Sequence, residues 1–205
     1  MTPMTRYTWP AMTAHWTITA LILVALPLGW YMHDLPLSPT KLRLYSYQSK
    51  VSFVSRQMGV PVAGTFAKFS GTLAFDPAQP TLASARVEID LAGIDAGSQE
   101  ANDEVVGKQW LNVKAFPSAQ FVATSVEARG DKGYAAVGKL MIKGQTREVS
   151  APFSFRQEGN TGIFDGSFVL KRLDFGIGEG PWSDVSTVAD EIEIRFHVVA
   201  TAAKQ

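Results

Sequence analysis

From about residue 49 onward, apolar and polar positions alternate along the chain. Ala85, Val87, Ile89 and Leu91 alternate with Arg86, Glu88 and Asp90. Val149, Ala151, Phe153 and Phe155 alternate with Glu148, Ser150, Ser154 and Arg156. Ile192, Ile194, Phe196 and Val198 alternate with Glu191, Glu193, Arg195 and His197. A period of two with one wet face is the mark of antiparallel sheet. Asp76-Pro77, Gly130-Asp131, Lys143-Gly144-Gln145 and Glu158-Gly159-Asn160 punctuate these runs as turns. The pattern predicts eight strands, near 50–57, 64–75, 84–94, 119–128, 133–143, 147–157, 162–174 and 189–201. One stretch departs from it. Ser98 followed by QEANDEVVGKQWLN predicts a short helix with a serine cap, an acidic first turn, and Val106 and Trp110 on one face. Strands in this number, with no long polar loop between them, favour a closed antiparallel barrel over an open sheet, because closure removes exposed edges.

Ahead of the alternation lies a continuous apolar run. Ala11 to Met32 is 22 residues without Lys, Arg, Asp or Glu. As a helix it would extend ~33 Å, enough to cross the hydrocarbon core of a bilayer. Trp9, Trp16, Trp30 and Tyr31 lie near its ends, where aromatic side chains anchor at the interfaces. After Leu28 the chain reads Gly-Trp-Tyr-Met-His-Asp rather than a small-x-small cleavage site, so the run is expected to be an uncleaved single transmembrane anchor. The chain thus divides into an anchor, 1–48, and a strand-bearing segment, 49–205. Arg6 on one side against Lys41, Arg43 and Lys50 on the other would, by charge alone, leave the second segment in the cytoplasm.

Composition narrows the function. Nineteen basic and nineteen acidic residues give zero net charge, which argues against a partner held by phosphate contacts, such as nucleic acid. The absence of cysteine removes disulfides, thiolate metal sites and a cysteine nucleophile. The glycines of FGIGEGPWSD, 175–184, follow a strand and open no helical pattern, so they read as a turn or bulge and not as a phosphate cradle. Glu179, Asp184 and Asp190 are loop carboxylates with no paired nucleophile, and Ser55 and Ser154 have no histidine at a telling position. No catalytic set assembles, so the chain reads as a binding protein and not an enzyme, with no required cofactor. His197 falls on the polar face of the last strand. His15 lies inside the apolar run, where an ionisable group is a candidate haem ligand. In a barrel made of one sheet the apolar phase faces the lumen. That phase predicts a lining of Phe53, Phe69, Leu73, Val87, Ile89, Trp110, Phe121, Leu140, Phe153, Phe168, Leu170 and Phe196. Periodicity does not separate a filled lumen from a hollow one.

SKVSFVSRQMGVPVAGTFAKFSGTLAFDP, 49–77, resembles the opening of the YceI-like family of lipocalin-like, polyisoprenoid-binding proteins. Gly59, Val62, Gly64, Phe66, Phe69 and Gly71 carry its first motifs. ANDEVVGKQWLNVKAFPSAQFVATSV, 101–126, GKLMIKGQTREVSAPFSF, 138–155, and KRLDFGIGEG, 171–180, carry the rest, so the resemblance spans about 49–201. It implies an eight-stranded lipocalin-like barrel, exported to the periplasm, holding a long isoprenoid lipid or isoprenoid quinone. One departure is visible: where many members read Asp-x-His-Leu, this chain reads Asp103-Glu104-Val105-Val106.

RYTWPAMTAHWTITALILVALPLGWYMHDLPLSPTKLRLYSY, 6–47, is similar to the first helix and following loop of the cytochrome b-561 family, in which His15 matches a haem ligand. Gln48 stands where that family would place its next histidine. A bis-histidine haem needs a second ligand, so haem requires a paired copy or a partner cytochrome. The two resemblances together imply a cytoplasmic amino terminus and a barrel tethered on the periplasmic side of the inner membrane, against the charge count. The expected partners are an isoprenoid lipid and the membrane, with a homodimer or a membrane cytochrome as further candidates. The expected function is lipid sequestration or transport; the alternative is an electron-transfer accessory that shares haem and supplies quinone.

Overall fold

The computed structural model describes residues 41–44, 48–130 and 133–202. Within them the alternating runs form one antiparallel sheet that curls until it meets itself. Its strands are β1 (Lys41–Leu44), β2 (Lys50–Gln57), β3 (Val60–Phe66), β4 (Phe69–Ala74), β5 (Ser84–Asp90) and β6 (Ile94–Asp95). They are followed by β7 (Ser118–Arg129), β8 (Gly133–Ile142), β9 (Gln145–Glu158), β10 (Thr161–Lys171) and β11 (Glu191–Ala202). The order β1-β4-β5-β7-β8-β9-β10-β11 closes because β1 pairs with both β4 and β11. β2 continues along β11 and carries β3 and then β6.

The sheet has eleven strands where the alternation predicts eight. The expected strand at 64–75 is broken at Ala67-Lys68, and the one at 84–94 by a 3-10 turn, Leu91–Gly93. These breaks form one corner. Ala67 N–H donates to the Gly93 carbonyl at 3.0 Å, and Asp90 N–H to the Lys68 carbonyl at 3.0 Å. Asp90 promotes the turn by accepting from Ala92 N–H at 2.9 Å, a local bond that competes with the ladder. The added strand, β1, lies ahead of residue 49.

Helix α1 (Gln99–Val105) begins where expected, with the Ser98 hydroxyl accepting from Ala101 N–H at 3.2 Å. It is shorter than its pattern suggests. Val106 is its C-cap and Gly107 follows, so Trp110 sits in the turn beyond the helix and not on its face. The indole reaches back instead, donating to Glu104 Oε1 at 3.1 Å.

The two ends of the barrel are closed differently. At one end Phe75 is surrounded by Tyr134, Phe153, Phe155 and Phe164, with ring centroids 5.0, 5.8, 4.8 and 5.4 Å away. These rings and Val126, Ala136 and Ala200 make a floor. At the other end Leu91, Leu111, Leu170, Phe175 and Ile177 pack beneath the turns. There Arg172 is fully buried. Its Nε donates to the Ala189 carbonyl at 3.0 Å, Nη1 to Ile177 and Gly178 at 2.9 and 3.1 Å, and Nη2 to Val188 at 2.7 Å. Burial pushes its pKa below the usual arginine value, and the charge of Asp190 opposes that shift. Gly178, at φ +77°, has no room for a side chain, since a Cβ would overlap Nη1.

Every ladder and both apolar clusters belong to the compact unit Ser38–Gln205, which therefore carries its fold by itself. Among the described residues no helix is long and apolar enough to cross a membrane. The apolar run 11–32, with His15, lies outside them. Replacing Arg172 with Leu strips partners from four buried carbonyls and is expected to cost about 3 kcal/mol or more, read as a lowered denaturant midpoint.

Candidate binding cavity

The barrel encloses a cavity of about 500 Å³. Among the described residues Ser55, Gln57, Ser84, Glu100 and Glu104 are the only polar ones on its lining, and the rest of that wall is aliphatic or aromatic. The interior is hollow, not filled, and cross-strand geometry shows how large rings leave space. Phe53 stands directly opposite Gly64, and Phe196 directly opposite Gly166. A Cβ at either glycine would overlap the facing ring, and one at Gly138 would overlap Phe121. Each ring thus lies against the wall in room a side chain would otherwise take. Phe121, Phe168, Ile192, Ile194 and Phe196 face inward yet remain only half-buried, as residues bordering open space do.

Of the expected lining, Phe53, Leu73, Val87, Ile89, Trp110, Phe121, Leu140, Phe153, Phe168, Leu170 and Phe196 border this cavity. Phe69 does not: it is buried outside the lining, at the first position of β4 beside the corner. Several lining residues escaped the sequence reading. Phe66 and Phe164 stood in recognisable strands; Phe164 shares the phase of Phe168 and was there to be found. Trp182, Glu100 and Glu104 sit on a loop and a helix, where alternation carries no information.

Glu100 and Glu104 mark the mouth. They lie one turn apart on α1, which is held to the sheet where Asn102 Oδ1 accepts from Ala96 N–H at 2.6 Å. Val105, where many members of the resembling family carry histidine, also borders the cavity. Glu104 is engaged by Trp110, whose ring centroid is 5.4 Å from that of Trp182. Gln57 and Ser55 contribute an amide and a hydroxyl from β2. Hydrogen bonds from its own backbone N–H and from the Ser98 hydroxyl hold the exposed Glu100 below the usual carboxylate range.

The other candidates have structural uses. Glu179 pairs with Lys143 at 3.0 Å, Asp184 accepts from Ser186 N–H at 2.8 Å, and Asp190 accepts from Leu173 N–H at 3.0 Å. FGIGEGPWSD forms 3-10 turns and opens no α-helix. His197 is half-buried on the outer wall, its Nδ1 against Asp165, which also pairs with Arg156 at 3.1 Å. Ser154 is exposed, and Ser55 borders the cavity with no histidine among the described lining residues. Among the described residues no group of His, Cys, Asp and Glu is placed to hold a metal ion.

A family model described as the YceI-like domain matches residues 43–200. The resemblance of 6–47 to cytochrome b-561 lies almost entirely ahead of that match and draws no support from it. A UPF0312 protein of Pseudomonas savastanoi is 33% identical over 129 residues, covering 60% of this chain and 67% of the relative. The crystal structure of BcnA from Burkholderia cenocepacia is similar with a TM-score of 0.75 and 45% identity, over 77% of this chain and 99% of that one. A polyisoprenoid binding domain from Saccharophagus degradans, implicated in plant cell wall breakdown, shares the fold with a TM-score of 0.66. It is 15% identical, over 79% of this chain and 98% of that domain.

The floor depends most on its central ring. Phe75→Ala is expected to cost about 3–5 kcal/mol, as for other buried aromatic truncations, measured by thermal or denaturant unfolding.

Proposed function

The chain belongs to the YceI-like family, and on that premise we propose that its barrel holds the hydrocarbon chain of an isoprenoid lipid, polyisoprenoid or isoprenoid quinone, in the lumen. The observation that carries this reading is the hollow itself: a cavity of about 500 Å³ whose described wall is apolar except for five residues. The hydroxyls and carboxylates on this wall are not joined into a nucleophile–base pair among the described residues, which favours sequestration or transfer over catalysis. Each buried CH₂ contributes ~0.8 kcal/mol, which lets a prenyl chain bind firmly through burial alone. The polyisoprenoid-binding relative of the same fold supports the choice of ligand. The apolar run 11–32 would tether the barrel to the inner membrane with the barrel in the periplasm, near the bilayer that supplies the lipid.

The unit Ser38–Gln205, purified and extracted with organic solvent, tests the reading by mass spectrometry beside a mock preparation. A stoichiometric isoprenoid or quinone is the expected result. A clean extract, together with no uptake of added polyprenol or quinone by folded protein, would overturn it.

Two substitutions probe the wall. Phe53→Asp and Phe168→Asp each place a carboxylate on the lining, and both are expected to abolish lipid uptake while the protein still unfolds cooperatively. At the floor, Phe164→Ala deepens the cavity and is expected to move the preference toward longer prenyl chains, measured with a series of defined chain length. An unchanged preference would show that the floor does not set the length.

A further inference from the structure

The lining has a charge pattern that follows from α1 alone. Among the described residues its only ionisable side chains are the carboxylates of Glu100 and Glu104, both at the mouth, and no described Lys, Arg or His borders the cavity. Four residues apart on a helix, the two project from the same face. Close to the mouth residues lies Arg172, whose guanidinium is 5.9 Å from the Trp110 ring. It is unavailable to a ligand, being fully buried with its N–H groups committed to four carbonyls. Arg56 and Lys108 are exposed and lie outside the lining. A lipid whose chain fills the lumen must leave its polar end at one end of the cavity. The aromatic floor occupies the other end, so that polar end sits beside two carboxylates, the Gln57 amide and the Ser55 hydroxyl.

We propose that this barrel selects isoprenoids with an uncharged polar end, such as a quinone ring or an alcohol, and discriminates against phosphorylated isoprenoids through Glu100 and Glu104. This rests on the lumen being a lipid site. The amide and hydroxyl can donate to a carbonyl or hydroxyl oxygen. An isoprenyl phosphate finds no cation among the described lining residues and meets like charge from both glutamates.

The test uses Ser38–Gln205, in which Trp110 and Trp182 are the only tryptophans and both border the mouth. Their fluorescence is titrated with geranylgeraniol, a short-chain ubiquinone and geranylgeranyl phosphate, each below its aggregation concentration. The neutral probes are expected to bind about tenfold more tightly than the phosphate, the scale of two like-charge contacts near a surface. Added salt is expected to narrow that ratio in the native protein, because screening weakens exposed charge repulsion. Glu100→Gln combined with Glu104→Gln is expected to narrow it further, and Glu104→Lys to reverse it. Equal binding of alcohol and phosphate by the native protein would overturn the proposal, as would a ratio that neither salt nor the variants move. Binding of none of the three probes would instead overturn the lipid-lumen reading, and this proposal with it.

Discussion

An interior left hollow supplies no packing to hold up the wall around it. The barrel therefore draws its stability from everywhere except its middle. Backbone pairing is continuous because β1 bonds to both β4 and β11, so the main ring has no free edge. The rings that would otherwise fall into the lumen are seated against the wall by Gly64, Gly138 and Gly166. Packing in the usual sense is concentrated at two places, the aromatic floor around Phe75 and the cluster beneath the mouth. The space between them is free because the ends carry the load.

Arg172 shows the same logic applied to a loop. The segment from Ile177 to Ala189 has no ladder of its own, and the carbonyls at its two ends, Ile177, Gly178, Val188 and Ala189, turn toward Arg172. A buried charge is costly to desolvate, but a planar fork of N–H groups can satisfy four such carbonyls at once. No carboxylate is in salt-bridge contact with it among the described residues; Asp190 acts at longer range while bonding the Leu173 backbone. The KRLDFGIGEG stretch thereby gains a physical meaning. Its arginine is the hub, and its glycine at 178 is the space the hub occupies.

Much of this was legible in the sequence, and the exceptions have causes. Residues such as Ile192, Ile194, Phe196 and Val198 declare their face by parity, and a wet outer wall keeps that signal clean. The breaks at Ala67-Lys68 and Leu91–Gly93 left a trace in the sequence that a single unbroken alternation passes over: the apolar phase moves from even positions, Val62 and Phe66, to odd ones, Phe69, Leu73 and Phe75, and from odd positions, Val87, Ile89 and Leu91, to even ones, Ile94 and Ala96. β1 was hidden in a stretch dominated by the apolar run before it. Whether the lumen was filled could not be read from composition, since the same phenylalanines serve a core and a cavity; the difference lies in which glycine each one faces. Phe69 has the right parity but the wrong position, beside the corner. Glu100 and Glu104 looked like an ordinary acidic first turn, and only their place on the cavity lining shows that this helix turns them to the mouth.

The closing seam of the wall joins the earliest strands to the last. β11 pairs with β1 through Leu42, Arg43 and Leu44, and with β2 from Lys50 to Val54. At that seam Ser49 Oγ accepts from Val199 N–H at 2.9 Å, a bond between residues 150 apart in the chain. Loops of that span are slow to close, and their entropy is lost before any contact repays it. During synthesis β1 and β2 must wait, unpaired along one edge, until β11 has left the ribosome. The lumen comes into being only at that last step, and a chain stopped short of β11 has walls but no inside.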